Sequence, residues 1–124
     1  MFDAHFHIID PDFPLIENNG YMPEPFTAAL YLESIKKYNF SGGAIVSGSF
    51  QGFDQGYLFS ALKQLGENYV GVVNLPHTAS DAEIIKLYES RIRAVRFNVF
   101  RGGSENIVHL VDFARRAYAL CGSI

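Results

Sequence analysis

The sequence predicts an α/β fold in which four parallel strands alternate with four helices. The main observation is that four short apolar segments typical of strands are each followed by a segment with apolar residues at helical spacing. These strand-loop-helix units recur roughly every 25 to 30 residues, as expected for parallel strands that right-handed crossovers connect. The 124 residues are 48% apolar and 15% aromatic, which is enough to form the core of one compact domain.

The first unit begins with a strand predicted over residues 2–8, where apolar and polar residues alternate. Because alternate residues of a strand share a face, His5 and His7 are expected to point to the same side. Residues 10–25 contain four of the five prolines, and they are predicted to form a long irregular loop, a kind of segment that is often functional. A helix with a threonine N-cap is predicted over 27–38.

The other three units follow the same order. Each strand is a short apolar segment bounded by turn residues, and each helix carries apolar residues on one side. A serine N-cap with a glutamate three residues later predicts the start of the third helix. The predicted bounds are strand 43–47 with helix 54–66, strand 69–75 with helix 80–88, and strand 92–99 with helix 104–122.

Two architectures contain such units. A doubly wound sheet that binds a phosphate group would carry a glycine-rich loop after its first strand, whereas this sequence has His5, His7 and a proline-bearing loop there. A complete (β/α)8 barrel needs about 250 residues. We therefore predict the parallel (βα)4 half of a TIM-like (β/α)8 barrel, as a single domain over residues 1–124. The first and fourth strands of this half barrel would be exposed edges. We expect the edges of two or more copies to pair, which predicts a homo-oligomer.

Charge and composition exclude several classes of protein. Lys and Arg number 10 against 13 Asp and Glu, so the formal net charge is -3, and no basic surface is expected to bind nucleic acid or an anionic membrane. No apolar segment approaches the roughly 20 residues that cross a bilayer. The single cysteine, Cys121, excludes an internal disulfide and a cysteine-based zinc site. A strand pattern follows Met1 directly, which predicts a cytoplasmic protein without a signal peptide.

The pair His5 and His7 is the first candidate site. Two imidazoles on one face of a strand are close enough to coordinate one divalent cation, such as Zn²⁺. They lie at the carboxyl end of the first strand, which is the catalytic rim of a barrel. Asp3 on the same face is expected to support them as a hydrogen-bond acceptor. The alternative is that both are ordinary histidines whose ring nitrogens are satisfied by hydrogen bonds.

Four further side chains are predicted to bind a small carboxylated substrate at this rim. Arg96 and Asn98 share one face of the fourth predicted strand, where a cation is costly unless it meets an anion or a hydrogen-bond partner. Arg96 is therefore a candidate for a bidentate bond to a substrate carboxylate, and Arg101 and Ser49 follow strands at the same rim. The alternatives are a structural ion pair for Arg96, a solvated position for Arg101 and an ordinary glycine-serine turn around Ser49.

Three other reactive side chains are predicted to be structural. His77 follows the third strand and could approach the mouth of the barrel. The favoured interpretation is an exposed loop histidine. His109 is predicted to lie in the middle of the fourth helix. Cys121 ends that helix and has no acid-base partner nearby in the sequence, which argues against a nucleophilic role.

Three motifs together resemble the amidohydrolase-related family, and within it the branch of 2-pyrone-4,6-dicarboxylate lactonase-like hydrolases. They are Asp-Ala-His-Phe-His at 3–7, Gly-Ser-Phe-Gln-Gly-Phe-Asp-Gln-Gly-Tyr-Leu at 48–58, and Ala-Val-Arg-Phe-Asn at 94–98. The resemblance implies a TIM-like barrel that hydrolyses a C–O or C–N bond in a small, often carboxylated, cyclic substrate.

The resemblance also implies roles for individual residues. In most of the family His5 and His7 would be metal ligands, whereas in the lactonase-like branch, which is active without a divalent metal, they would hold the substrate carbonyl. Arg96 and Ser49 would match substrate-contacting positions. Two features depart from the branch, because Ser47-Gly48 replaces an expected Gln-Pro pair and Arg101 stands one residue early.

The family's later histidines and its acid-base aspartate have no counterparts in these 124 residues. We therefore expect a hydrolase of the amidohydrolase type whose active site is incomplete in this chain. The alternative is a non-enzymatic truncated remnant that self-associates through its exposed sheet edges.

Overall fold

The structure is a computed structural model that describes residues 1–100, 102 and 104–122. These residues contain one parallel four-stranded sheet with the strand order β1-β2-β3-β4. The strands are β1 Phe2–Phe6, β2 Gly42–Val46, β3 Tyr69–Val73 and β4 Ile92–Val95, and the helices are α1 Ala28–Ile35, α2 Gly56–Leu65, α3 Asp81–Glu89 and α4 Leu110–Cys121. The predicted fold class, a half barrel of four βα units, is confirmed.

The helix starts agree with the predicted caps. The Thr27 side chain accepts a hydrogen bond from the backbone N–H of Leu30 at 3.4 Å, and Ser80 accepts one from Glu83 at 3.2 Å. Each cap satisfies an N–H group that the first turn of a helix leaves without a partner.

The fourth unit differs from its predicted bounds. β4 ends at Val95 rather than at residue 99, because after the bond from Arg96 N to Val73 O at 2.7 Å the chain turns away from β3. The backbone N–H of Asn98 then donates to the Ser104 hydroxyl at 2.6 Å. Arg96 and Asn98 therefore lie in the β4–α4 connection and not on a strand face.

The helix of this unit also begins later than predicted, at Leu110 rather than near Ser104. A short 3-10 turn over Ile107–His109 precedes it, and the Asn106 side chain caps this turn by accepting from Val108 N at 3.1 Å. His109 therefore lies in the turn before α4, and the prediction that it sits in mid-helix is wrong.

The core lies between the sheet and the helices that cover one of its faces. All five residues of β2 are buried, and Ile45, Leu58 and Val73 are inaccessible to solvent. On this side the Phe6 ring stacks on the Tyr31 ring of α1 with centroids 3.8 Å apart. In β3 the buried residues alternate with the half-buried Val70 and Val72, so the other face of the sheet is only partly covered.

β1 and β4 end the strand order, and large apolar side chains are exposed on or close to them. Phe2 on β1 is 53% exposed, and Val99 and Phe100 beyond β4 are 71% and 94% exposed. Among the described residues no helix has both the length and the apolar character needed to cross a bilayer. The cytoplasmic location stays a prediction.

Candidate functional site

The site lies where the parallel strands end, because their carboxyl ends meet at one edge of the sheet. A pocket of about 230 Å³ opens there. We call it the rim pocket, and its lining residues are His7, Tyr21, Gly48, Ser49, Phe50, Arg96 and Asn98. Four of the predicted site residues, His7, Ser49, Arg96 and Asn98, therefore share one cavity. Arg101, the other predicted substrate-binding arginine, lies outside the described residues.

His5 lies on β1, whereas His7 lies just beyond the end of β1, because the strand ends at Phe6 rather than at residue 8 as predicted. The two histidines are neighbours in space. Their ring centroids lie 5.1 Å apart with the rings nearly perpendicular. The Nδ1 of His7 lies 2.6 Å from the backbone carbonyl oxygen of Val46 at the end of β2. Since a carbonyl only accepts, Nδ1 carries the proton and Nε2 is left with a lone pair. Burial lowers the pKa of His7, and the nearby His5 and Arg96 lower it further, against the hydrogen bond to Val46.

A neutral imidazole with an open Nε2 lone pair suits a metal ligand or a proton acceptor. Among the described residues, however, no third histidine, cysteine or carboxylate joins His5 and His7 at ligand spacing. These two residues therefore fit a metal ion only as part of a ligand set that other groups complete.

Asp3 has a different partner from the one predicted. Its carboxylate accepts a hydrogen bond from the Tyr31 hydroxyl of α1 at 3.2 Å, and the imidazole of His7 bonds to Val46 instead. The cause is a shift in the β1–β2 register between Asp3 and Phe6, which interrupts the strict alternation of faces. The prediction that Asp3 supports the histidines is wrong for His7.

Arg96 is held at the rim by the backbone of β2. Its Nη1 donates to the carbonyl oxygen of Ser47 at 2.7 Å, so this half-buried cation has a neutral partner. Among the described residues no carboxylate forms the structural ion pair of the alternative interpretation. The Ser47 hydroxyl in turn lies 2.6 Å from the Tyr57 hydroxyl of α2. Burial raises the pKa of Tyr57, so this phenol stays neutral. Since a guanidinium has five N–H donors, one bond to Ser47 leaves it able to bind an anion as well.

Ser49 lies in a 3-10 turn that buried amides hold in place. The Gln51 side chain accepts from Gly48 N at 2.8 Å and donates to the Ile8 carbonyl at 2.7 Å. The Asn74 amide, just beyond β3, donates to the Gly48 carbonyl at 3.2 Å. The turn is therefore fastened to the ends of both neighbouring strands, which fixes the position of Ser49.

Several residues that shape this site escaped the sequence analysis. Tyr21 reaches the pocket from the long loop over 10–25, which the sequence marked as functional without identifying a residue. Phe50 lies against His7, with ring centroids 5.9 Å apart. The signal for Gln51 was its position inside the motif at 48–58, but nothing local indicated that its amide would bond to the end of β1.

His77 and His109 meet outside this pocket. Their rings stack with centroids 3.7 Å apart, and Glu105 lies beside both. Hydrogen bonds from the backbone and ring of His77, and from the backbone of Asn106, lower the pKa of Glu105 to about 2. Sequence reasoning treated these histidines separately and did not consider Glu105.

Comparison with known proteins places the chain among its relatives. It is 29% identical over 113 residues to the 2-pyrone-4,6-dicarbaxylate hydrolase of Comamonas testosteroni, a match that covers 90% of this chain and 35% of that protein. A solved structure of a probable 2-pyrone-4,6-dicarboxylic acid hydrolase from Acinetobacter baumannii, with citric acid bound, is 25% identical with a TM-score of 0.82. That match covers 96% of this chain and 46% of the other.

A second solved structure, of a protein from Agrobacterium tumefaciens, has a TM-score of 0.84 at 22% identity, covering 95% of this chain and 44% of the other; it supports the fold alone. The chain thus spans less than half the length of each of these three proteins. The family model described as Amidohydrolase matches residues 2–123, which is nearly the whole chain. The chain belongs to the amidohydrolase family.

Proposed function

We propose that this chain forms part of a hydrolase site that cleaves a C–O or C–N bond in a small carboxylated lactone or amide. The observation that carries the proposal is that His7, Ser49 and Arg96 line one pocket at the carboxyl edge of the sheet. A basic imidazole and a cation in one cavity suit a substrate that combines a hydrolysable carbonyl with a carboxylate. The names of the relatives and the citric acid bound to one of them support the same substrate class.

In this proposal Arg96 binds a substrate carboxylate. Its bond to the Ser47 carbonyl fixes the guanidinium at the pocket wall, so little side-chain entropy is lost when an anion binds. Ser49 and Asn98 line the same wall and would contribute polar contacts that orient the substrate. Arg101 remains a prediction for a second carboxylate.

His7, which lines the rim pocket, would face the carbonyl that is hydrolysed, with the ring of His5 beside it. Because Nδ1 of His7 carries the proton, Nε2 is an acceptor. An acceptor nitrogen suits binding a metal or taking a proton from water better than it suits donating a hydrogen bond to the carbonyl. A divalent cation such as Zn²⁺, when bound by these residues and further ligands, would supply Lewis-acid polarisation of the carbonyl.

The first test concerns Arg96. We expect Arg96→Gln to weaken the binding of 2-pyrone-4,6-dicarboxylate and of citrate by about 10- to 100-fold, because a hydrogen bond to a charged group contributes about 1.5–3 kcal/mol. Isothermal titration calorimetry measures the dissociation constants. Arg115→Gln is the matched control, since Arg115 lies exposed on α4 and outside the rim pocket. Equal affinities for the Arg96 variant and the wild type would contradict the proposed role.

We further propose that a second copy of the chain pairs with the open edges of the sheet, as the non-enzymatic alternative also requires. The support is that β1 and β4 end the strand order, that Phe2 on β1 is exposed, and that Phe100 in the connection after β4 is exposed as well. Unpaired edges with exposed apolar side chains favour association.

We expect the untagged chain to elute from size-exclusion chromatography as a dimer or larger when its mass is measured by light scattering. Phe100→Asp is expected to shift the population toward the monomer, because it places a charge in the contact. Leu32→Asp, which changes an exposed apolar residue of α1, is the matched control. A folded monomer of 13.9 kDa at all concentrations would contradict self-association.

A further inference from the structure

Three side chains with metal-ligating atoms meet outside the rim pocket. His77 follows β3, and Glu105 and His109 belong to the β4–α4 connection; we call them the His-Glu cluster. One ligand atom from each lies within 4.8 Å of the others. Oε2 of Glu105 is 2.8 Å from Nδ1 of His77, and Oε1 is 4.0 Å from Nε2 of His109. The carboxylate thus lies between the two imidazoles.

The backbone around the cluster is held by other contacts. Arg116 of α4 donates to the His77 carbonyl at 3.2 Å, to the Ala79 carbonyl, and to the Asp81 carboxylate at 2.6 Å. These bonds fasten the β3–α3 connection to α4, so His77 and His109 approach each other on fixed elements. Ligands that the fold already positions lose less entropy when they bind an ion.

Hydrogen bonds also hold the carboxylate of Glu105 in position. Glu105 accepts from the backbone N–H of His77 at 2.6 Å and from that of Asn106 at 2.7 Å. Two imidazoles and one carboxylate give a donor set that first-row divalent ions prefer.

The distances are close to those of such a site. With Zn–N and Zn–O bonds of about 2.0–2.1 Å, neighbouring ligand atoms of a tetrahedral ion are roughly 3.4 Å apart. The separations of 2.8 Å and 4.0 Å lie on either side of this value, and a metal ion bound by Nδ1 of His77 would replace the proton that now joins this nitrogen to the carboxylate. The stacked rings of His77 and His109 would have to open, which the partial exposure of both side chains allows.

We propose that His77, Glu105 and His109 bind a divalent transition-metal ion of the zinc class. A fourth position would face a neighbouring cavity of about 170 Å³ that His77 and His109 line together with Asp112, Phe113 and Arg116. The ion would link the β3–α3 connection to the start of α4 and so stabilise the folded chain.

The test uses the untagged chain titrated with ZnCl₂ by isothermal titration calorimetry, with the thermal midpoint of unfolding as a second readout. To remove the first-strand histidines, all variants are made in a background with His5→Ala and His7→Ala. In that background we expect zinc binding with one ion per chain and a thermal midpoint that rises with zinc concentration. Glu105→Gln and His109→Asn are each expected to weaken zinc binding at least tenfold, while the exposed-surface control Glu33→Gln binds as the background does.

Cobalt gives an independent measurement. In the same background Co²⁺ is expected to produce the intense visible absorption of a four-coordinate ion, and Glu105→Gln to remove it. Glu105→Gln keeps an acceptor oxygen for His77, so it tests the site even if His109→Asn does not fold, as circular dichroism would show. Absence of zinc binding in the background, or equal affinity in the background and in Glu105→Gln, would show that the cluster holds no metal.

Discussion

Replacing His5 and His7 together by alanine is expected to lower the turnover of a small carboxylated lactone by about 10³-fold. A positioned acid-base group contributes about 10²–10⁴-fold to a rate, and this change removes the imidazoles of both His5 and His7. His7 is a wall residue of the rim pocket, and its Nε2 is the lone pair best placed to accept a proton or to bind a metal. The measurement is kcat/KM for a panel of lactones and amides with and without added Zn²⁺.

The matched control for this variant is Glu33→Ala with Lys36→Ala, which removes an exposed ion pair from α1 and is expected to keep the wild-type rate. Because His5 is exposed and the imidazole of His7 has one described hydrogen bond, to Val46, the double alanine variant is expected to stay folded. Turnover that is the same in both variants would contradict the role of the histidines. A wild-type chain without turnover in any oligomeric state would contradict the hydrolase proposal for this chain.

The second large effect is expected from Gly43→Val in β2. A Cβ atom on Gly43 would lie 2.9 Å from the Asp3 carbonyl oxygen and 2.9 Å from a ring carbon of Phe6. The Asp3 oxygen is part of the β1 backbone, so relief requires the two paired strands to move apart. We expect the free energy of unfolding to fall by about 3 kcal/mol, at the upper end of what overpacking usually costs.

The Gly43→Val variant is also expected to affect the rim pocket. β1 leads directly into His7, whose position depends on the bond to the end of β2, so ligand binding at the rim pocket is expected to weaken as well. Urea unfolding measures the stability, with the exposed-helix variant Lys63→Ala as a control expected within about 0.5 kcal/mol of the wild type. An unfolding free energy for Gly43→Val that is also within this range would show that the strands tolerate a side chain there.

Local signals account for the parts of the fold that sequence analysis predicted well. The caps at Thr27 and Ser80 act within four residues of themselves, and apolar periodicity depends on neighbours in the same element. The predicted positions of the strand ends were less accurate. Where β4 stops is decided by the bond of Asn98 to the Ser104 hydroxyl and by the loss of a partner on β3, and no pattern within 92–99 reports either.

For the candidate site, the sequence indicated residue types and the edge of the sheet on which they would lie. His5, His7 and Ser49 were identified because each ends or follows a strand, and the carboxyl ends of parallel strands converge. Arg96 and Asn98 were identified as polar residues on one face of a predicted strand. Their roles in binding and catalysis remain proposals. Asp3 was predicted to accept a hydrogen bond from the histidines because strict alternation of faces along the strand was assumed. The register shift of β1 interrupts this alternation, and the Asp3 carboxylate accepts a hydrogen bond from Tyr31 instead.

By itself the sequence determined the α/β class, the four βα units, the capped starts of α1 and α3 and the candidate residues at the rim. Only the tertiary structure decided which partners these residues have. The contact of Arg96 with the Ser47 carbonyl spans 49 positions and that of Glu105 with His77 spans 28, so neither is visible in any local pattern. The physical reason is that periodicity and capping are short-range preferences of the chain, whereas these contacts form only after the sheet has brought distant connections to the same edge.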